Sequence, residues 1–140
     1  MNSRVSPSLP PGRHRAPLVL LLVFIGGALG SLARELLAPL LPAPWFWWPI
    51  LTVNLLACFL LGVLFALRGH LRPNAMHFAA GGFCGGFSTF SHFSYEIVAL
   101  ADAGAALEAA AYVGLAVGLG IAAAIAGEAI GYRWSGSRRA

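Results

Sequence analysis

The chain has 140 residues, of which 59% are hydrophobic and only 10% charged, against about 25% charged in an ordinary soluble domain. That balance excludes a water-facing globular surface, and the length excludes more than one small domain. The formal charge of +4 is carried by nine arginines and no lysine. These arginines sit between apolar runs instead of alternating with aromatics along one face, which argues against a nucleic-acid partner.

Residues 1–17 contain Pro7, Pro10, Pro11, Pro17 and three arginines and read as a disordered N-terminal tail. A basic start before an apolar stretch also fits a signal peptide, but the stretch stays apolar too long for one. Four uncharged runs follow, residues 16–33, 36–67, 73–95 and 109–127, of 18, 32, 23 and 19 residues. A hydrocarbon core of about 30 Å takes about 20 helical residues, so each run provides roughly one crossing. The expected class is therefore an all-α membrane protein with helices over 18–37, 47–67, 75–100 and 105–132, the domain spanning 18–132 and a basic tail at 133–140. Pro39, Pro42, Pro44 and Pro49 confine the second helix to the later part of its run. Trp45, Trp47 and Trp48 fall where that helix meets the headgroups.

Four crossings put both termini and the loop after helix 2 on one side of the membrane. Arg4, Arg13, Arg15, Arg68, Arg72, Arg133, Arg138 and Arg139 lie there and only Arg34 lies toward the other face, so the termini are expected in the cytoplasm. Four short helices cannot enclose a wide pore and still pack a core. Transport thus implies a very narrow path or a dimer with the path at its interface. Glycines recur four apart at Gly26/Gly30, Gly81/Gly85, Gly82/Gly86, Gly114/Gly118 and Gly127/Gly131, the spacing that lets helix backbones approach closely in lipid.

Residues 81–96, GGFCGGFSTFSHFSYE, are the informative stretch. Each mid-helix glycine weakens a helix by about 1 kcal/mol, and the hydroxyls of Ser88, Thr89, Ser91 and Ser94 follow at once. Two readings are open from the glycines alone: a close-contact face on an intact helix, or a helix broken in mid-membrane. A break survives in lipid only where protein, water or an ion satisfies the freed backbone groups. Phe90 and Phe93, three apart, share one side of the helix. Their positive ring edges beside hydroxyl donors suit a small anion.

This stretch resembles the signature of the CrcB/Fluc fluoride channels, G-[FY]-C-G-G-[LF]-T-T-F-S-T-F-S-x-E. GGALGSLAR ending at Arg34, and TVNLLACFLLG containing Asn54, agree in order. The resemblance implies an antiparallel, dual-topology dimer with two narrow fluoride pathways, conducting passively across a bacterial inner membrane, and no enzyme activity. It further implies that Asn54, Phe90, Ser91, Phe93 and Tyr112 line the pathway, with Arg34 near its aqueous vestibule. The carbonyls of Gly85 and Ser88 would come from both subunits to hold a structural sodium ion.

Several positions depart from the family pattern. Ser88 replaces threonine, His92 introduces a protonatable ring between the two phenylalanines, and Ala116 and Gly120 stand where related channels carry serines. The eight-to-one arginine bias raises a heterodimer with an oppositely oriented relative as the alternative to a homodimer, and the missing hydroxyls at Ala116 and Gly120 leave a non-conducting partner subunit as an alternative role. A small drug or guanidinium exporter would need a membrane-embedded carboxylate, and helix 1 has none before Glu35. A haem protein or membrane enzyme would need paired groups at depth, where His92 stands alone while His14, His70 and His77 are scattered. Cys58 and Cys84 read as packing residues, not as a disulfide or metal pair.

Overall fold

A computed structural model describes residues 16–137. Residues 1–15, most of the expected N-terminal tail, and residues 138–140, the end of the expected C-terminal tail, lie outside the described residues, as do Arg4, Arg13, Arg15, Arg138 and Arg139. All regular elements among the described residues are helical: α1 (Ala16–Leu37), a 3-10 turn (Ala38–Leu40), α2 (Trp48–Leu67), α3 (Pro73–Met76), a π-helix (His77–Cys84), α4 (Gly85–Phe87), α5 (Phe90–Asp102) and α6 (Ala106–Ser137). Among the described residues, three helices are long and apolar enough to cross a membrane, at Ala16–Leu40, Trp48–Leu67 and Ala106–Ser135. The expected third helix forms in pieces from Pro73 to Asp102 and is interrupted at Ser88 and Thr89. The last helix runs past its expected end at Tyr132 to Ser137.

Proline and glycine explain most of the boundaries. Pro17 stands in the first turn of α1, and Pro49 and Pro73 open α2 and α3, positions whose N–H has no helical partner anyway. Gly104, at φ +78°, ends α5. Its N–H donates to the Ala101 carbonyl at 3.0 Å and the Ala105 N–H to the Leu100 carbonyl at 2.9 Å, a left-handed cap that reverses the chain into α6.

Packing follows the small residues. Gly26 and Gly30 of α1 lie so close to the interrupted helix that an added Cβ would run into the carbonyls of Phe78 and Phe83. From the other side, a Cβ on Gly82 would come within 2.8 Å of the Val23 carbonyl, and one on Gly86 would meet that of Gly27. Gly127 and Gly131 bring α6 against α2 at Phe59, Val63 and Ala66, where Gly62, which no pair in the sequence pointed to, answers from α2 against Ala124. Gly81 meets only the Val23 side chain, while Gly85, Gly114 and Gly118 have nothing within 4 Å, so those expected contact faces are open in the single chain. Large apolar side chains such as Leu20, Phe24, Phe90 and Leu107 are 71–85% exposed, a surface suited to lipid or to another protein.

Two buried clusters flank the interruption. Trp47, Leu51, Leu100, Ala109 and Tyr112 form one; Val53, Ala57 and Phe87 form the other. The site lies between them.

Candidate functional site

In an unbroken helix each carbonyl accepts the N–H four residues on. At Ser88 (φ −72°, ψ 157°) and Thr89 (φ −144°, ψ 117°) the backbone turns extended, and the freed groups find side-chain partners from three other places in the chain. The Thr89 N–H donates to Asn54 Oδ1 at 2.8 Å, and Asn54 Nδ2 donates back to the Thr89 carbonyl at 3.1 Å. The Gly86 carbonyl accepts from Ser31 Oγ at 3.2 Å and from Arg34 Nη1 at 3.0 Å. Arg34 Nη1 also reaches the Ser88 carbonyl at 3.3 Å, while its Nε and Nη2 each contact the Glu35 carboxylate at 3.2 Å. Thr89 then caps α5, its Oγ1 accepting the His92 N–H at 3.3 Å and exchanging a hydrogen bond with Ser91 Oγ at 3.2 Å. The backbone groups freed at the break are thus held by side chains.

A cavity of about 310 Å³ opens beside it, lined among others by Asn54, Ser88, Thr89, Phe90, Phe93 and Ala116. Asn54 thus bonds a neighbouring segment and also faces the groove. One of its amide protons remains after the bond to Thr89. Phe90 and Phe93 stand 6.0 Å apart at 45°, Phe90 79% exposed and Phe93 half-buried. The α6 wall of the groove is apolar, at Ala116 and Val117.

Tyr112 adjoins this groove without lining it. Its fully buried ring receives Phe93 edge-on at 5.0 Å and 64°, and its hydroxyl donates to the buried Glu96 carboxylate at 2.7 Å. Ser91 and His92 are exposed. Arg34 lies on the other side of the break, toward α1. The structure thus gathers Asn54, Ser88, Phe90 and Phe93 into one groove, with Tyr112 behind Phe93 and Ser91 reached through Thr89. Sequence reasoning counted Thr89 only among the hydroxyls. Its backbone is what Asn54 clamps, and a cap residue directly before the Phe90 helix is the signal that could have found it.

Arg34 is fixed at the break, and among the described residues no cluster of three or more histidine, cysteine or acidic residues able to hold a metal occurs. Any metal here would be held by backbone oxygens. In a continuous helix the Gly85 carbonyl would accept the Thr89 N–H; that N–H is turned to Asn54, which releases the Gly85 oxygen.

The fold and site define a small helical membrane protein with a groove at an interrupted apolar helix. The CrcB-like protein, Camphor Resistance (CrcB) family matches residues 21–128, and the chain belongs to that family. Among its curated relatives, the "Fluoride-specific ion channel FluC" of Ruegeria pomeroyi is 46% identical over 79% of this chain and 88% of its own length. The protein of the same name from Deinococcus radiodurans is 43% identical over 78% of this chain and 91% of its own. That of Leptospira interrogans is 40% identical over 77% and 90%.

Proposed function

We propose that this protein is a fluoride-selective channel, not an enzyme, through which fluoride leaves the cytoplasm passively. The observation that carries the reading is the groove in which an amide, two phenylalanine rings and the hydroxyl-bearing break converge. Fluoride is small and tightly hydrated, so a path for it must replace water with donors. Asn54 offers an amide proton, the Ser91 hydroxyl stands beside the break, and the edges of Phe90 and Phe93 present positive potential without a cation to trap the ion. Tyr112 fixes Phe93 from behind, and Arg34 supplies a positive charge beside the break. The relatives named as fluoride channels support this choice of ion.

In this reading the pieces from Pro73 to Asp102 make a fourth crossing, and two chains associate antiparallel in a bacterial inner membrane. The exposed Phe90 and the open faces at Gly85, Gly114 and Gly118 support a second copy lying against the groove. The carbonyls of Gly85 and Ser88 fit a hard monovalent ion such as sodium. Both are oxygen donors at a break, the first released from its helical partner and the second shared with Arg34 at a long 3.3 Å. A bound sodium ion supplies a fixed positive charge near the anion path.

Hydrogen fluoride enters acid-exposed cells as a neutral molecule and dissociates inside, so an open path for the anion suffices for export. Expression of this chain alone in a bacterium lacking its own fluoride export restores growth in fluoride at mildly acid pH. Tags on both termini are then found on both faces of the membrane. Restored growth only when an oppositely oriented relative is co-expressed would replace the homodimer by a heterodimer, the second reading favoured by the arginine bias. No rescue in either case overturns the channel.

A further inference from the structure

Tyr112 is held on three sides, and the third has no place in the pathway described so far. Its ring stacks on Trp47 at 4.9 Å and 28°, in addition to the edge contact with Phe93. Trp47 is 5% exposed and stacks in turn on Trp45 at 5.2 Å and 6°. Its indole N–H donates to Glu108 Oε1 at 2.9 Å. Glu108 stands in the first turn of α6, one turn before Tyr112, where a carboxylate also interacts favourably with the helix N-terminus. An indole ring lying in its stack can still slide and rotate in plane. A directional, charge-assisted bond at its edge removes that freedom.

We propose that Glu108 and Trp47 are positioning residues, a carboxylate-anchored indole that sets the plane of Tyr112 and, through it, the angle at which the Phe93 edge faces the groove. The proposal rests on the fluoride reading of that groove for its consequence, and on the ring geometry alone for its mechanism. Glu108 is exposed and touches neither the groove nor an ion in it. Its effect is transmitted through two aromatic contacts. If burial of the indole were its only role, any loss would appear as instability of the whole bundle and leave the surviving protein's ion preference unchanged.

The test compares Glu108→Gln, Glu108→Ala, Trp47→Phe and the double variant Glu108→Ala/Trp47→Phe. Each is purified in detergent, checked for a single size-exclusion peak and reconstituted into liposomes. Glu108→Gln keeps an oxygen acceptor and is expected to keep fluoride flux within about twofold of the unaltered protein. Glu108→Ala lowers flux about tenfold and raises chloride leak relative to fluoride, since small misplacements of an ion-contacting group have effects of that order or more. The double variant conducts no worse than Trp47→Phe, because the carboxylate acts only through the indole.

Near-ultraviolet circular dichroism of the detergent-purified protein provides a readout that needs no conduction. The aromatic signal weakens in Glu108→Ala and is retained in Glu108→Gln. Unchanged flux, ion preference and aromatic signal in Glu108→Ala would overturn the brace, as would additive losses in the double variant. Absence of fluoride flux from the unaltered protein would instead count against the channel reading, and the dichroism comparison would then decide the brace by itself.

Discussion

Replacing Phe93 by isoleucine is expected to abolish fluoride efflux while leaving the protein folded. Isoleucine keeps most of the apolar bulk of a half-buried position packed against Tyr112 and its cluster, so the stability cost is that of a modest reduction in core volume, about 1–2 kcal/mol. What is lost is the ring's quadrupole. Ring-edge contacts between neutral groups contribute about 0.5–1.5 kcal/mol, and a full charge in a poorly screened groove gains more from the same edge. Flux should therefore fall by more than about tenfold, to the level of empty liposomes, with an unaltered size-exclusion profile. Efflux equal to that of the unaltered protein would remove Phe93 from the pathway.

The second large effect is expected at Asn54. Its amide receives the Thr89 N–H and donates to the Thr89 carbonyl, so Asn54→Asp keeps the first bond, breaks the second and sets a negative charge on the groove wall. Two like charges about 4 Å apart repel by about 4 kcal/mol at an effective dielectric near 20. That corresponds to roughly a thousandfold slower passage. Fluoride-electrode recording from liposomes carrying the variant should show no efflux above background, and normal efflux would confine Asn54 to its structural bond with Thr89. Asn54→Ser separates the two roles: it restores neutrality without the paired amide, so it should recover part of the flux only if the added charge does more harm than the broken bond.

The break in the third apolar segment was legible only in part, because its cause is local but not unique. Clustered glycines weaken the helix, yet they fit an intact close-contact face as well, and the threonine that caps Phe90–Asp102 and restarts it was not singled out. The aromatic pair and the membrane class were legible, since periodicity and composition act along the chain. What side chains do at the break was not legible. Asn54 meets Thr89 from 35 residues away, Arg34 meets Gly86 from 52, and Trp47 meets Glu108 from 61. Those pairings depend on how deeply α1, α2 and α6 pack, which glycines on facing helices set jointly. Gly62 shows the same dependence: alone on α2 it carries no spacing signal, yet it lies directly against the α6 backbone at Ala124 and Glu128. Gly114 and Gly118 have the spacing and no partner within one chain. The wide π-helical turn at His77–Cys84, which leads into the break and carries Gly81 and Gly82, has no pattern of its own from which it could be read.

Arg34 also changes meaning once its contacts are known. The sequence resemblance set it near an aqueous vestibule, and its guanidinium is bonded to the carbonyls of Gly86 and Ser88. It replaces two helical hydrogen bonds that the break removes, and does so with a charge that favours an anion nearby.

The central claim is that fluoride crosses at the groove beside this break. A fluoride electrode following liposomes loaded with potassium fluoride and holding the purified chain alone tests it most directly, with potassium chloride vesicles and a chloride electrode alongside. Rapid fluoride release once a potassium ionophore is added, with chloride retained, is the result expected. Fluoride held inside as firmly as in protein-free vesicles, or chloride escaping at the same rate, would contradict it.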